Sequence, residues 1–82
     1  MKNNMGNNMN LYIINEVLCD YTDGMCVIAA PSLKRCRELF VNQFDNDRSA
    51  DEFDSAIKRG AYKSLQVVGK SEGIVSYVYG GG

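Results

Sequence analysis

Residues 10–30 read NLYIINEVLCDYTDGMCVIAA, and the fold class turns on this stretch. Its first half is dense in strand formers: Leu11, Tyr12, Ile13, Ile14, Val17 and Leu18 predict a strand over 10–19. Asp23-Gly24 then stands between two apolar runs. That pair is favoured in tight hairpin turns, because glycine takes a positive φ without steric cost. A second strand is expected over 25–30, where Ala29 and Ala30 leave room for a helix to approach and Pro31 ends the run. The two strands should pair antiparallel. Apolar residues on both faces of the first mark it as a central strand, or as one whose second face meets a partner.

C-terminal to this hairpin, Ser32 is placed to cap a helix by accepting a hydrogen bond from a first-turn amide. Leu33, Cys36, Leu39, Phe40 and Phe44 follow at helical spacing and form one apolar stripe. Ser49-Ala50-Asp51-Glu52 has the pattern of a capping box, with Glu52 expected to reach back to the Ser49 amide. Ala50, Phe53, Ala56 and Ile57 give that second helix its apolar face, and Gly60 its left-handed stop. A third strand is expected over 61–69 and a polar turn over 70–73.

The last ten residues, GIVSYVYGGG, alternate like a strand built into a sheet rather than a frayed tail. Val75, Tyr77 and Tyr79 are expected on one face, Ile74, Ser76 and Val78 on the other. The order ββααββ, two hairpins bracketing a helical segment, predicts an α+β fold: a four-stranded antiparallel sheet with two helices packed on one face. Tyr12, Ile14, Tyr77 and Tyr79 are then the candidates for exposure. Residues 1–9, MKNNMGNNM, read as a disordered leader, with Met9 a candidate start, and 10–82 as a single domain.

At 82 residues the core is just large enough to fold without staples, and 45% hydrophobic residues argue against wholesale disorder. A formal net charge of −1 argues against direct nucleic-acid binding. No apolar run approaches the ~20 residues of a membrane span, and no secretory pattern is visible, so the expected location is a cytoplasm. Cys19, Cys26 and Cys36 include no CxxC pair, and the chain has no histidine. They read as buried thiols rather than metal ligands, although Cys19 and Cys26 flank the turn and could face each other. No metal or cofactor is expected.

Catalysis is not expected either, because without histidine there is no triad base and no nucleophile has a recognisable partner. Two binding surfaces are candidates instead. The first joins the acidic run Asp45, Asp47, Asp51, Glu52 and Asp54 to Tyr77 and Tyr79, a combination suited to a basic protein surface. A solvated loop with acidic charge at a helix N-terminus is the plainer account of the same carboxylates. The second comprises Lys34, Arg35 and Arg37 with Tyr12, which in a homo-oligomer could hold phosphate and stack on a base. Solubilising charge is the plainer account there. The terminal strand edge also offers unpaired amides for dimerisation or strand addition.

LYIINEVLCDYTDGMCVIAAPSLKRCREL, followed after a variable middle by GIVSYVYGGG, resembles a widespread group of small phage-encoded proteins. They share the opening strand, the acidic and aromatic turn, a strand ending in alanines, a helix starting at serine and a terminal glycine-bounded strand. The resemblance covers about residues 9–39 and 73–82 and implies a phage origin. The segment YTDGMCVIAAPS is also similar to the early hairpin of small anti-CRISPR proteins that cover the nuclease domain of a Cas effector. The resemblance implies a phage anti-defence protein acting by stoichiometric binding in the host cytoplasm, with a Cas effector as partner. The alternative is a homo-oligomeric sponge for a cyclic-nucleotide immune signal.

Overall fold

The structure, a computed structural model, describes residues 8–19 and 22–80. Its elements are β1 (Asn8–Val17), β2 (Gly24–Ala30), α1 (Leu33–Gln43), α2 (Ser49–Lys58), β3 (Tyr62–Val68) and β4 (Gly73–Val78). The strands form one antiparallel sheet in the order β3-β1-β2-β4, with both helices on one face: an α+β fold. Residues 1–7 of the expected leader lie outside the described residues, while Asn8 and Met9 belong to β1. Among the described residues no helix is long and apolar enough to cross a membrane.

The covered face is legible in the register. Tyr12 and Ile14 on β1 and Cys26 and Ile28 on β2 are buried against Cys36 and Phe40 of α1 and Phe53 and Ala56 of α2. Full burial of a side chain such as Phe40 is worth about 1.5–3 kcal/mol, so this layer supplies the main driving force. Tyr12 and Ile14 are thus core residues, not the exposed ones expected. Ser32 caps α1 as its sequence suggests, its Oγ accepting a hydrogen bond from the Arg35 amide at 3.2 Å.

Three expectations about connections and caps are also overturned. First, β3 and β4 do not form a hairpin. They lie on opposite edges, and the link 69–72 crosses the end of the sheet. Three strand spacings amount to about 14 Å, within the roughly 17 Å that so short a link spans when extended. Second, the capping box is absent. Ser49 is already inside α2 and buried, its hydroxyl has no partner among the described residues, and Arg48 takes the cap position without a side-chain bond. Third, Gly24 does not serve a two-residue turn. β1 ends at Val17, so six residues separate the strands, of which Asp20 and Tyr21 lie outside the described residues. Gly24 is required instead by close approach: a Cβ there would stand 2.1 Å from the Val78 carbonyl oxygen.

Two irregularities decide which side chains face the helices. At Glu16, with φ of 62°, β1 gains an extra residue against β2, which returns Val17 to the core side. In β4 the register against β2 shifts by one at Val75, so Ile74 and Tyr77 share the helix side. This corrects the strict alternation expected for the closing strand. The backbone just after β4 is tied down at Gly80, whose amide donates to the Leu18 carbonyl at 2.8 Å.

Candidate functional site

The candidate site begins in the core and ends at the surface. Phe53 and Phe40 pack with ring centroids 5.4 Å apart, and Phe40 meets Phe44, at the end of α1, at 4.9 Å. Phe44 in turn receives Tyr77 edge-on at 5.0 Å and Tyr79 at 6.1 Å, and the two tyrosines contact each other at 5.5 Å. Edge-to-face pairs of this kind are worth about 0.5–1.5 kcal/mol each beyond burial. Phe44 is buried, whereas Tyr77 and Tyr79 are 43% and 60% exposed. The result is an aromatic platform fixed from below and open above.

The acidic residues divide around this platform. Asp45 follows Phe44 directly in the inter-helix loop, Asp47 comes two residues later, and both are exposed, as is Asp51 in the first turn of α2. Glu52 is committed internally: its carboxylate accepts hydrogen bonds from the Leu18 and Cys19 amides at 3.3 and 3.1 Å. That contact fastens the β1–β2 connection to α2. Asp54 is engaged by Arg37, whose guanidinium bonds both of its oxygens at 2.7 and 3.0 Å and holds its carboxyl below the usual range. Tyr79 and Glu52 meet in a cleft of about 270 Å³, with Asn46, Arg48, Leu18, Cys19 and Gly80 as its other walls. Of the acidic run the cleft brings only Glu52 to Tyr79, together with the cation Arg48; Asp45, Asp47 and Asp51 are exposed carboxylates outside its walls.

The second candidate set is dispersed. Arg35 turns to Glu72, with bonds of 2.7 to 3.2 Å, and to Glu38 at 3.0 Å. Arg37 turns to Asp54, and Lys34 borders a shallow groove between the helices lined by Leu33, Phe53 and Ile57. Residues two apart on a helix point in different directions, so Arg35 and Arg37 do not converge on one ligand. Tyr12 is buried beneath the helices, its hydroxyl accepting from the Asn10 side chain at 3.3 Å.

The thiols are free. Burial pushes Cys26 and Cys36 up to about 12, and burial, reinforced by a hydrogen bond to Asp23 and by the Asp23 and Glu52 charges, pushes Cys19 up to about 11. Cys19 donates to Asp23 at 3.1 Å rather than facing Cys26, and Cys26 lies in the buried core cluster that also holds Cys36 of α1. Among the described residues no group of three or more Cys, Asp or Glu side chains is placed to hold a metal ion.

Sequence reasoning assigned Phe44 to the core stripe and overlooked it as the bridge carrying both tyrosines. Its position one turn after Phe40 and immediately before Asp45 was the available signal. Set against known protein families, curated proteins and solved structures, the chain matches none.

Proposed function

We infer that this chain is a binding protein that acts by occupying a partner rather than by catalysis, through the Phe44–Tyr77–Tyr79 platform and the carboxylates beside it. One observation carries the reading: two half-exposed tyrosines are held edge-on by a buried phenylalanine that directly precedes the exposed Asp45. Pre-positioned aromatics lose little side-chain entropy on binding, and such residues dominate the energetics of interfaces. The adjoining carboxylates favour a partner whose surface is basic and raise the rate of encounter with it. A surface that normally holds nucleic acid fits that description.

The finer reading is a phage anti-defence protein that inhibits a Cas effector. It is supported by the resemblance of residues 9–39 and 73–82 to small phage-encoded proteins, and by a platform that suits blocking a basic channel. Pull-down from a host carrying CRISPR effectors tests it. Capture of a Cas protein together with loss of interference activity is the expected result; no captured Cas protein and intact interference would rule it out.

A further inference from the structure

We propose that the groove between α1 and α2 docks an acidic amphipathic helix of a partner protein, with apolar side chains in the groove and carboxylates on its two banks. The groove has a volume of about 420 Å³, and Leu33 of α1 with Phe53 and Ile57 of α2 form its apolar lining. Lys34 stands on the α1 bank and Lys58 on the α2 bank, both exposed. Neither ammonium has an ion-pair partner among the described residues. Arg37 and Asp54 also border the groove, and their hydrogen bonds of 2.7 and 3.0 Å tie one helix to the other. That tie fixes the spacing of the banks before anything binds, which lowers the entropic cost of docking.

Charge selects the occupant. The groove gathers three cations against the carboxylate of Asp54, which Arg37 already engages, in a chain whose formal net charge is −1. An acidic segment is drawn to this face and a basic one is repelled from it. Cations on both banks fit a helix whose apolar stripe is flanked on each side by Asp or Glu, the helix-in-groove mode of recognition. A single-headed amphiphile such as a fatty acid would use one bank only, and so shallow a groove would leave most of its tail in water. Residues 1–7 carry Lys2 and no carboxylate, so they share the groove's sign. A second copy has no such helix to offer, because Phe53 and Ala56 of its acidic α2 are buried in its own core. The platform tyrosines do not line the groove. This surface therefore takes a partner of the opposite charge to theirs, and each reading can fail without the other.

Fluorescence anisotropy of the full chain with a labelled peptide of about 16 residues tests the proposal. The peptide is an amphipathic helix with leucine at i, i+3, i+4 and i+7 and glutamate on both flanks, and a version with lysine for glutamate is the control. The glutamate peptide should bind with a dissociation constant below about 100 μM at low salt, and the lysine version at least about tenfold more weakly. Lys34→Glu, Lys58→Glu, at two exposed positions, should weaken the glutamate peptide about tenfold or more, with circular dichroism confirming the fold. Tyr77→Ser, Tyr79→Ser should bind it as tightly as the wild type. A dissociation constant above about 100 μM overturns the proposal, and is also the result if residues 1–7 fill the groove. Equal binding of the two peptides overturns it too, as does an affinity that the double lysine change leaves intact. So does a loss of binding in the tyrosine variant, which would place the peptide on the platform. Displacement of the peptide by decanoate at a lower concentration than by unlabelled peptide would assign the groove to a small amphiphile instead.

Discussion

Replacing Gly24 by alanine should damage the fold far more than its one added methyl suggests. The new Cβ would stand 2.1 Å from the Val78 oxygen, 2.8 Å from the Gly80 nitrogen and 2.9 Å from the Val17 oxygen. Favourable non-bonded separations are about 3.5 Å, and all three obstacles are backbone, so the end of β4 must retreat by more than ~1 Å. That retreat breaks the Gly80–Leu18 hydrogen bond, worth about 1 kcal/mol, and loosens both tyrosine contacts to Phe44, at about 0.5–1.5 kcal/mol each. With the strained remainder of the β2–β4 ladder the loss reaches about 3 kcal/mol or more, a large share of the roughly 5–10 kcal/mol a domain of this size possesses. Gly60→Ala is the control. Gly60 has φ of 74° but nothing within 4 Å of a Cβ, so the change carries only the left-handed penalty of about 1–2 kcal/mol. Urea unfolding followed by far-ultraviolet circular dichroism compares the two, and near-ultraviolet signals report the tyrosines. Equal loss in both variants, or a larger loss in Gly60→Ala, would refute the close approach of β2 to the backbone at Val78 and Gly80.

Three further outcomes follow from the geometry. Ser49→Ala should be neutral or stabilising by up to ~1 kcal/mol, because its buried hydroxyl has no partner among the described residues, whereas Glu52→Ala should lose about 1.5–3 kcal/mol by orphaning the Leu18 and Cys19 amides; chemical denaturation of both reads this directly. Asp54 and Glu72 are held below their ordinary values by hydrogen bonds from Arg37 and Arg35, so the stability they add is complete above about pH 5 and is lost as pH falls through their lowered values; urea midpoints measured downward from pH 7 should therefore drop less in an Arg35→Ala, Arg37→Ala chain. In folded protein at pH 8 all three thiols should react with a disulfide reagent far more slowly than free cysteine and at full speed once unfolded, and Asp23→Asn should speed only Cys19, as read by timed alkylation and mass spectrometry.

Local signals carried the elements, and distance in sequence hid their arrangement. Ser32, the apolar stripe Cys36–Phe40–Phe44 and the stop at Gly60 are decided by neighbours within one or two turns, and each is found where its chemistry places it. The pairing of β3 was not readable in this way. A polar link over 69–72 looks the same whether it joins adjacent strands or crosses the end of a sheet, and only the competition for the two edges of the β1–β2 hairpin settles it. The bulges at Glu16 and Val75 were equally silent, since neither residue type favours one, yet each returns the following side chains to the helix side. Glu52 departed from the capping pattern because two loop amides offered its carboxylate partners thirty-odd residues away. At the candidate site the tyrosines and the acidic run were legible as composition. That Glu52 and Asp54 are spent internally, leaving Asp45, Asp47 and Asp51, depends on contacts between elements that no local pattern encodes.

Phage plating efficiency on a CRISPR-protected host tests the functional reading most directly, comparing cells that express the wild-type chain with cells that express a Tyr77→Ser, Tyr79→Ser chain. Restored plaques with the wild type, and protection regained with an equally abundant, folded double variant, are the outcome predicted for a platform that occupies a Cas effector. Unchanged protection with the wild-type chain across effector types, or full restoration by the variant lacking both rings, would contradict it.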